Sequence, residues 1–229
     1  MIHDLLPITP REVRLAGRVG LVVVDPGVAF TRSGALSDPE RMVPMVRQIG
    51  DEYRRLKASF PDLRTLVFLD AHHADIPEPP YPPHGVGGTG EDEIDPELAW
   101  LLDEPGVTLV RKDCINGFVG AIDRVTGRNA FCDWAREGDF SQLVVTGDCT
   151  DICVSDFVVT ALSARNHGLL TSAADHAAYV AAITGLEIVV LAPACATFEA
   201  PGHASAIAHH VGLWVMAGRG ATIASGWTS

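Results

Sequence analysis

The 229-residue sequence contains no apolar run long enough to cross a membrane, so we expect no membrane-spanning segment. Its N-terminus lacks the basic flank and the long apolar core of a secretory signal. Internal repeats and low-complexity segments are absent as well. These absences exclude repeat arrays and integral membrane proteins, and they predict a globular protein of the cytoplasm.

Basic residues are scarce relative to acidic ones. Lys and Arg together number 17 against 29 Asp and Glu, which gives a formal net charge of −12 and a pI near 5.0. Nucleic acids and anionic membranes repel a surface of this charge, so we expect neither as a partner. A small-molecule substrate is compatible with it.

Cysteine lacks the even number and regular spacing of a disulfide framework. Cys149 and Cys153 form a C-x3-C pair, which is the spacing of neither a zinc knuckle nor a thioredoxin-like motif. We therefore expect free thiols in a reducing compartment. The five cysteines are Cys114, Cys132, Cys149, Cys153 and Cys195.

Short apolar runs alternate with amphipathic stretches along the chain, of which 47% is hydrophobic. This alternation predicts a doubly wound α/β fold, with about six mostly parallel strands and helices on both faces. We expect one domain over residues 1–229, with an insertion rich in Pro, Gly and acids at about residues 71–95. The predicted strands are 19–24, 65–69, 107–110, 143–146, 187–191 and 221–224, and the predicted helices are 39–57, 96–102, 130–137, 153–166 and 204–217; residues 171–184 are either helix or loop.

The most informative stretch is 144–154, in which a β-branched run ends at a glycine and leads into a helix that begins at Cys153. Unpaired N–H groups and the helix dipole at this position favour a thiolate, so Cys153 is a candidate nucleophile. The alternative is a small buried hydrophobic residue.

Other chemically active residues follow the other predicted strands. Asp25, Asp70 and Lys112 stand where three strands end, at the sheet edge where Cys153 also lies. A buried Asp25 can accept the thiol proton, and Lys112 can keep that carboxylate charged. The alternatives are a turn-capping role for Asp25 and solvent exposure for Lys112.

Asp70, His72 and His84 have the composition of a two-His-one-carboxylate site for a divalent metal. The Pro-rich loop between His72 and His84 can fold the second histidine back onto the first. Nearby residues that offer alternative ligands, or that are solvated loop residues, are His73, Asp75 and Glu78.

In this order, these residues resemble the nicotinamidase branch of the isochorismatase-like cysteine hydrolases. Residues 22–30 resemble the opening strand of that family, with its Asp and trailing Phe, and residues 69–72 resemble its D-x-H motif. Residues 82–91 resemble its P-P-H-C…G-T-x-G segment, and residues 150–154 match its T-D-x-C-V turn.

The resemblance implies an amidohydrolase that converts nicotinamide to nicotinate and ammonia through a thioester. Cys153 would be the nucleophile, Asp25 the proton shuttle and Lys112 the residue that holds them. The backbone N–H groups of Cys149 and Cys153 would form the oxyanion hole, shaped by a cis peptide at Asp148–Cys149.

The same resemblance implies a divalent metal, typically zinc, bound by Asp70, His72 and His84, and a homo-oligomer. Candidate walls of the substrate pocket are Phe30, Ala71, Phe118 and Phe198, although for each phenylalanine a place in the core is favoured over a substrate contact. Residues 196–203 resemble a segment of a less-characterised cysteine-hydrolase subgroup, and that resemblance assigns them no role.

Departures from the family pattern affect the substrate more than the chemistry. Ala71 stands where nicotinamidases usually carry Trp, Gly27 where they usually carry Gln, and Gly85 where they usually carry Cys. The smaller residues at 27 and 71 leave open a linear amide, maleamate-like or ureido-type, as the substrate. A non-catalytic module with a redox-sensing thiol and a metal-binding loop is a further alternative.

Overall fold

The computed structural model describes residues 2–173 and 175–229, in which seven strands form one parallel sheet in the order β1-β7-β6-β5-β2-β3-β4. The α/β prediction is confirmed, and all six predicted strands are present. The strands are β1 (Arg11–Arg14), β2 (Val19–Val24), β3 (Arg64–Asp70), β4 (Val107–Lys112), β5 (Gln142–Gly147), β6 (Glu187–Cys195) and β7 (Thr222–Thr228).

The prediction of about six strands is one short, because β1 was missed. This edge strand pairs with β7 alone, and only Val13 among its four residues is buried. An edge strand that exposes three polar side chains has no apolar run, so the pattern used for the other strands does not detect it.

Helices cover both faces of the sheet. They are α1 (Ile2–Leu5), α2 (Val28–Thr31), α3 (Pro39–Ser59), α4 (Gly117–Gly120), α5 (Ala130–Gly138), α6 (Cys153–Asn166), α7 (His176–Gly185) and α8 (Ser205–Gly218), with a 3-10 helix at Ala99–Asp103. The predicted helix at 96–102 is therefore the shorter 3-10 helix. The ambiguous stretch 171–184 includes α7, although Ala174 lies outside the described residues.

Two hydrophobic clusters, one on each side of the sheet, form the core. One joins α3 to the sheet and the other joins α5 and α6 to it, so every residue of β2 is buried. Burial on both faces explains why β2 is a continuous apolar run instead of an alternating one. No helix in the described part of the chain is long and apolar enough to span a membrane.

Strand order places the functional residues. Strand β2 lies between β5 and β3, so the chain leaves the carboxyl ends of these strands in different directions and opens a crevice between them. Asp25 follows β2, Asp70 and Lys112 end β3 and β4, and the turn after β5 leads into α6.

The long insertion at 71–95 packs back onto the segment that follows Asp25. The N–H of Val28 donates to the carbonyl of Glu93 at 2.9 Å, and the N–H of Asp95 donates to the carbonyl of Pro26 at 2.8 Å. Arg32 then forms a two-pronged ion pair with the buried carboxylate of Asp95. The insertion is thus hydrogen-bonded to the sheet edge at its C-terminal end.

Candidate active site

Asp25 is fully buried at the end of β2 and has a positive φ of 51°. A non-glycine residue rarely adopts this left-handed conformation, which here turns the chain sharply away from the sheet. Its N–H donates to the carbonyl of Phe68 on β3, at 3.0 Å. The carboxylate is thereby held at the crevice, as a buried base requires.

Lys112, at the end of β4, is also fully buried, so solvent exposure is the wrong alternative for this lysine. Its ammonium lies 2.8 Å from Asp25 Oδ2 and makes a short ion pair with Asp70 Oδ1. It also donates to the carbonyl of Cys114 at 3.1 Å. One buried cation therefore bridges two buried carboxylates.

The charges within this cluster shift the pKa values of the two carboxyl groups in opposite directions. Burial, helped by the charge of Asp70, raises the pKa of Asp25 to about 7 against the opposing effect of Lys112. Burial also disfavours the ionised form of Asp70, but Lys112 and His72 outweigh it and leave the pKa of Asp70 below its usual value. Asp25 is thus suited to gain and lose a proton near neutral pH, whereas Asp70 stays ionised.

The expected helix does begin at Cys153, and its thiol lies with Asp25 and Asp70 in a group whose ligand atoms are all within 4.8 Å of one another. The expectation of a resting thiolate is wrong. Burial raises the pKa of Cys153 well above its usual value, and the nearby Lys112 only partly opposes this. The thiol therefore carries its proton and needs a base, which the adjacent Asp25 can supply.

The turn between β5 and α6 has a cis peptide at Asp148–Cys149, as expected. Cys149 accepts hydrogen bonds at its carbonyl from the N–H groups of Ile152 and Val154, which shapes the turn. The N–H groups of Cys149 and Cys153 themselves have no acceptor among the described residues. Both are therefore free to donate to a bound group, and the oxyanion hole that the resemblance implies stays a prediction.

Asp70, His72 and His84 come together as predicted, with ligand atoms within 4.8 Å of one another. Asp70 Oδ2 and His72 Nε2 are buried and have no hydrogen-bond partner. His84 Nδ1 lies 2.8 Å from the carbonyl of Pro82, so this nitrogen carries the proton and Nε2 presents a lone pair. Buried metal-ligand atoms that lie this close together, two of them without a hydrogen-bond partner, fit a divalent metal.

Glu78 adds a carboxylate that the sequence offered only as one of several alternatives. Its Oε2 is buried without a hydrogen-bond partner, 3.6 Å from His72 Nε2 and 3.9 Å from His84 Nε2. Its Oε1 accepts a hydrogen bond from the N–H of Ile115, at 2.8 Å. The competing residue His73 is exposed and faces Asp113, at 3.5 Å.

Gly85 departs from the family pattern for a physical reason. Its φ is +52°, and a Cβ placed there would lie 2.8 Å from Cβ of Asp70. A cysteine at this position would therefore collide with a metal-ligand candidate.

The candidate pocket residues occupy different environments. The buried ring of Phe30 meets the ring of His84 edge-to-face at 5.7 Å, and Ala71 is half-buried between Asp70 and His72. Phe118 packs against the core ring of Phe131 at 5.9 Å, and Phe198 stacks on His203 at 4.3 Å.

Tyr81 is an aromatic neighbour of the site that the sequence analysis missed. Its ring lies 6.2 Å from that of His84. Burial is the main cause that raises the pKa of its hydroxyl, and Tyr81 lines a cavity together with His72 and His84. The aromatic residue ahead of the Pro-Pro-His sequence was the available signal.

Removal of the Lys112 ammonium should destabilise the fold in a pH-dependent way. The Lys112→Met variant leaves Asp25 and Asp70 buried without a cation, so we expect its free energy of unfolding at pH 8 to fall by about 3–5 kcal/mol. At pH 5.5, below the pKa of about 7 of Asp25, that carboxyl is protonated and the loss should be smaller.

Urea unfolding at the two pH values measures both losses. Lys57→Met is the matched control, because the Lys57 ammonium donates to the carbonyl of Pro61 and makes no ion pair within the described residues. An equal loss for Lys112→Met at both pH values would contradict the shared-cation description.

Comparisons with known proteins come from three directions. Residues 19–220 match the Isochorismatase domain family. The chain is 42% identical over 238 residues to Nicotinamidase 1 of Arabidopsis thaliana, covering 96% of this chain and 92% of that protein. Among solved structures, the nicotinamidase/pyrazinamidase PncA of Bacillus subtilis is 23% identical with a TM-score of 0.66, over 91% of this chain and 100% of that one. The pyrazinamidase of Pyrococcus horikoshii in complex with zinc is 20% identical with a TM-score of 0.63, over 90% and 98% of the two chains.

Proposed function

The chain belongs to the isochorismatase domain family and is a hydrolase of amide carbon–nitrogen bonds, and we propose that its substrate is nicotinamide and that Asp25, Lys112 and Cys153 are its catalytic residues. The observation that carries this proposal is the buried cluster in which Lys112 lies 2.8 Å from Asp25, beside the thiol of Cys153. The identity of 42% to Nicotinamidase 1 supports the choice of amide.

The reaction begins with transfer of the Cys153 proton to Asp25. The sulfur then bonds to the amide carbon, and the carbonyl oxygen takes the electron pair as an oxyanion that faces the N–H groups of Cys149 and Cys153. When this intermediate collapses, the carbon–nitrogen bond breaks and Asp25 returns its proton to the departing nitrogen. Ammonia leaves, and the acyl group stays on sulfur as a thioester.

Hydrolysis of the thioester uses Asp25 a second time. Asp25 takes a proton from a water molecule whose oxygen bonds to the acyl carbon, and the carbon–sulfur bond breaks to release the acid. The thiolate of Cys153 then recovers the proton from Asp25. Throughout the cycle Lys112 stabilises the ionised form of Asp25. This lowers the proton affinity of Asp25 enough for it to give the proton back.

A metal is part of the proposal. A divalent ion, zinc in the first instance, held by Asp70, His72 and His84, would supply an electrophilic centre that orients the substrate. Glu78 is the candidate for a further ligand. Of these residues, His72, Glu78 and His84 line a cavity of about 120 Å³, which Tyr81 also lines.

A linear amide is the second candidate substrate. The small side chain of Ala71, half-buried between two metal-ligand candidates, leaves space that a longer or more flexible amide could use. The redox-module alternative gives the buried Asp25–Lys112 pair no role, and we do not adopt it.

Loss of the nucleophile should abolish turnover. We expect wild type to release ammonia from nicotinamide and Cys153→Ala to release none above background, as an ammonia assay can measure. Cys132→Ala is the control, because it removes another buried thiol from the helix α5 and leaves the site intact. Inactivity on nicotinamide together with ammonia release from a linear amide would transfer the proposal to the second substrate class.

The pH dependence should report Asp25. Its pKa of about 7 means that it carries a proton at lower pH and cannot accept another, so kcat/KM should rise as the pH increases through 7. The kcat/KM of Asp25→Asn should be about 10²- to 10⁴-fold lower than that of wild type.

Asp156→Asn is the control, because burial raises the pKa of this α6 carboxyl too, but no hydrogen bond or ion pair in the described part of the chain joins the carboxyl to the cluster. Rates from pH 5 to 9 test the prediction, and a profile that is flat across pH 7 would refute it.

Metal binding should depend on Glu78 and not on His73. We expect His72→Ala to lose the metal. Glu78→Gln should bind zinc at least about 10-fold more weakly than wild type, the lower end of the effects typical of residues that support metal ligands. His73→Ala should bind as wild type does, because its ring faces Asp113. Competition with a zinc-binding dye measures the affinities without reference to turnover, and equal weakening by the Glu78 and His73 substitutions would exclude Glu78 as a ligand.

A further inference from the structure

The turn that carries the two candidate oxyanion donors is held by a segment far along the chain. The N–H of Thr150 donates to the carbonyl of Ala196, at 2.8 Å. Burial raises the pKa of the Cys149 thiol, and the side chain of Thr197 and the N–H of Phe198, which lie beside it, oppose that rise. Residues 196–198, which follow β6, therefore contact two successive residues of the turn.

His203 completes this arrangement with a contact to Asp151. Its Nε2 lies 2.8 Å from Asp151 Oδ2, and its Nδ1 lies 2.9 Å from the carbonyl of Phe198. Both partners can accept a hydrogen bond, so each nitrogen of the ring lies against an acceptor. The ring of Phe198 stacks on it at 4.3 Å, with 24° between the planes.

The position of His203 is itself well defined. Ala200 and His203 exchange backbone hydrogen bonds of 3.1 and 2.9 Å, which closes a tight turn immediately before α8. The Asp151 carboxylate has no other hydrogen-bond partner among the described residues, and its Oδ1 is buried without one. Loss of the His203 ring would therefore leave a mostly buried carboxylate unpaired.

Helix α8 closes the other side of the turn. His209 Nδ1 lies 2.8 Å from the hydroxyl of Thr150. A Cβ at Gly212 would lie 2.7 Å from Cα of Asp151, so only glycine allows α8 to approach the turn this closely. Together with the contacts of residues 196–203, this packing leaves the turn little freedom to shift.

We infer that His203 is a positioning residue for amide hydrolysis: by pairing with Asp151 it holds the turn so that the N–H groups of Cys149 and Cys153 stay aimed at one oxyanion. This inference rests on the proposed function, because it assigns catalytic value to those N–H groups. A misplacement of about 1 Å at a catalytic group can cost about 10²-fold in rate. The effect should therefore appear in kcat, whereas lost contact with a pocket wall would appear mainly in KM.

The kinetic experiment compares His203→Ala, His203→Gln and Asp151→Asn with wild type on nicotinamide. We expect His203→Ala to lower kcat about 10- to 100-fold, with a change in KM below about threefold. His203→Gln should recover part of the loss, because its amide group can donate to both acceptors. If the two residues act as a pair, the double variant His203→Ala/Asp151→Asn should lose kcat by a factor close to the larger of the two single losses and smaller than their product.

The control is His167→Ala, which removes an exposed histidine from the opposite end of α6. Rates are normalised to the folded fraction of each variant, measured by near-UV circular dichroism, so that unfolding is not counted as a catalytic loss. An unchanged kcat in His203→Ala, or an effect confined to KM, would overturn the inference.

Hydrogen exchange separates this inference from the proposed function. His203→Ala should accelerate exchange at the N–H groups of residues 149–153 relative to wild type and to His167→Ala, whether or not nicotinamide is the substrate. If wild type is inert on every amide tried, the proposed function fails, and faster exchange still supports the positioning role. If exchange in this turn is unchanged, His203 does not hold it, and the inference fails regardless of activity.

Discussion

The buried ammonium of Lys112 is the contact on which the site depends. It lies 2.8 Å from Asp25 and also pairs with Asp70, so it is the positive charge that makes burial of both carboxylates tolerable. The fold can place this group only because β2, β3 and β4 are adjacent and parallel, which brings three strand ends to one edge. A sheet of another order would leave at least one of these charges unpaired.

Asp70 links the candidate proton-transfer cluster to the candidate metal site. Its Oδ1 pairs with Lys112 and lies 3.3 Å from His72 Nε2, whereas its Oδ2 lies 3.8 Å from His84 Nε2 and has no hydrogen-bond partner among the described residues. A positive charge bound at Oδ2 of Asp70 would draw electron density from Oδ1 and weaken the ion pair between Asp70 and Lys112. Lys112 would then pair more strongly with Asp25. The two clusters therefore form one electrostatic unit, in which a change on either side alters the basicity of Asp25.

The sequence analysis succeeded where a local pattern carried the information. Apolar runs that end in Asp25 or Lys112 predicted both the strands and the convergence of their ends, and the helix signal predicted the position of Cys153. The ionisation of that thiol was predicted wrongly, since the helix terminus was visible in the sequence and the extent of burial was not. The pairing of His203 with Asp151 joins residues 52 positions apart, and no local pattern predicts such a contact.

The candidate catalytic residues and the candidate substrate-contacting residues lie on parts of the fold that differ in their tolerance of substitution. Asp25 follows the buried strand β2, Lys112 is the buried last residue of β4, and Cys153 is the buried first residue of α6, so a shifted backbone at any of them would disturb the core. Ala71 and Tyr81 belong to the long insertion, much of which is exposed. Loops tolerate substitution better than strand ends do, so selectivity for the amide can change there while the reacting groups remain in place. The departure from the family pattern at Ala71 falls in this region, as this division of roles predicts.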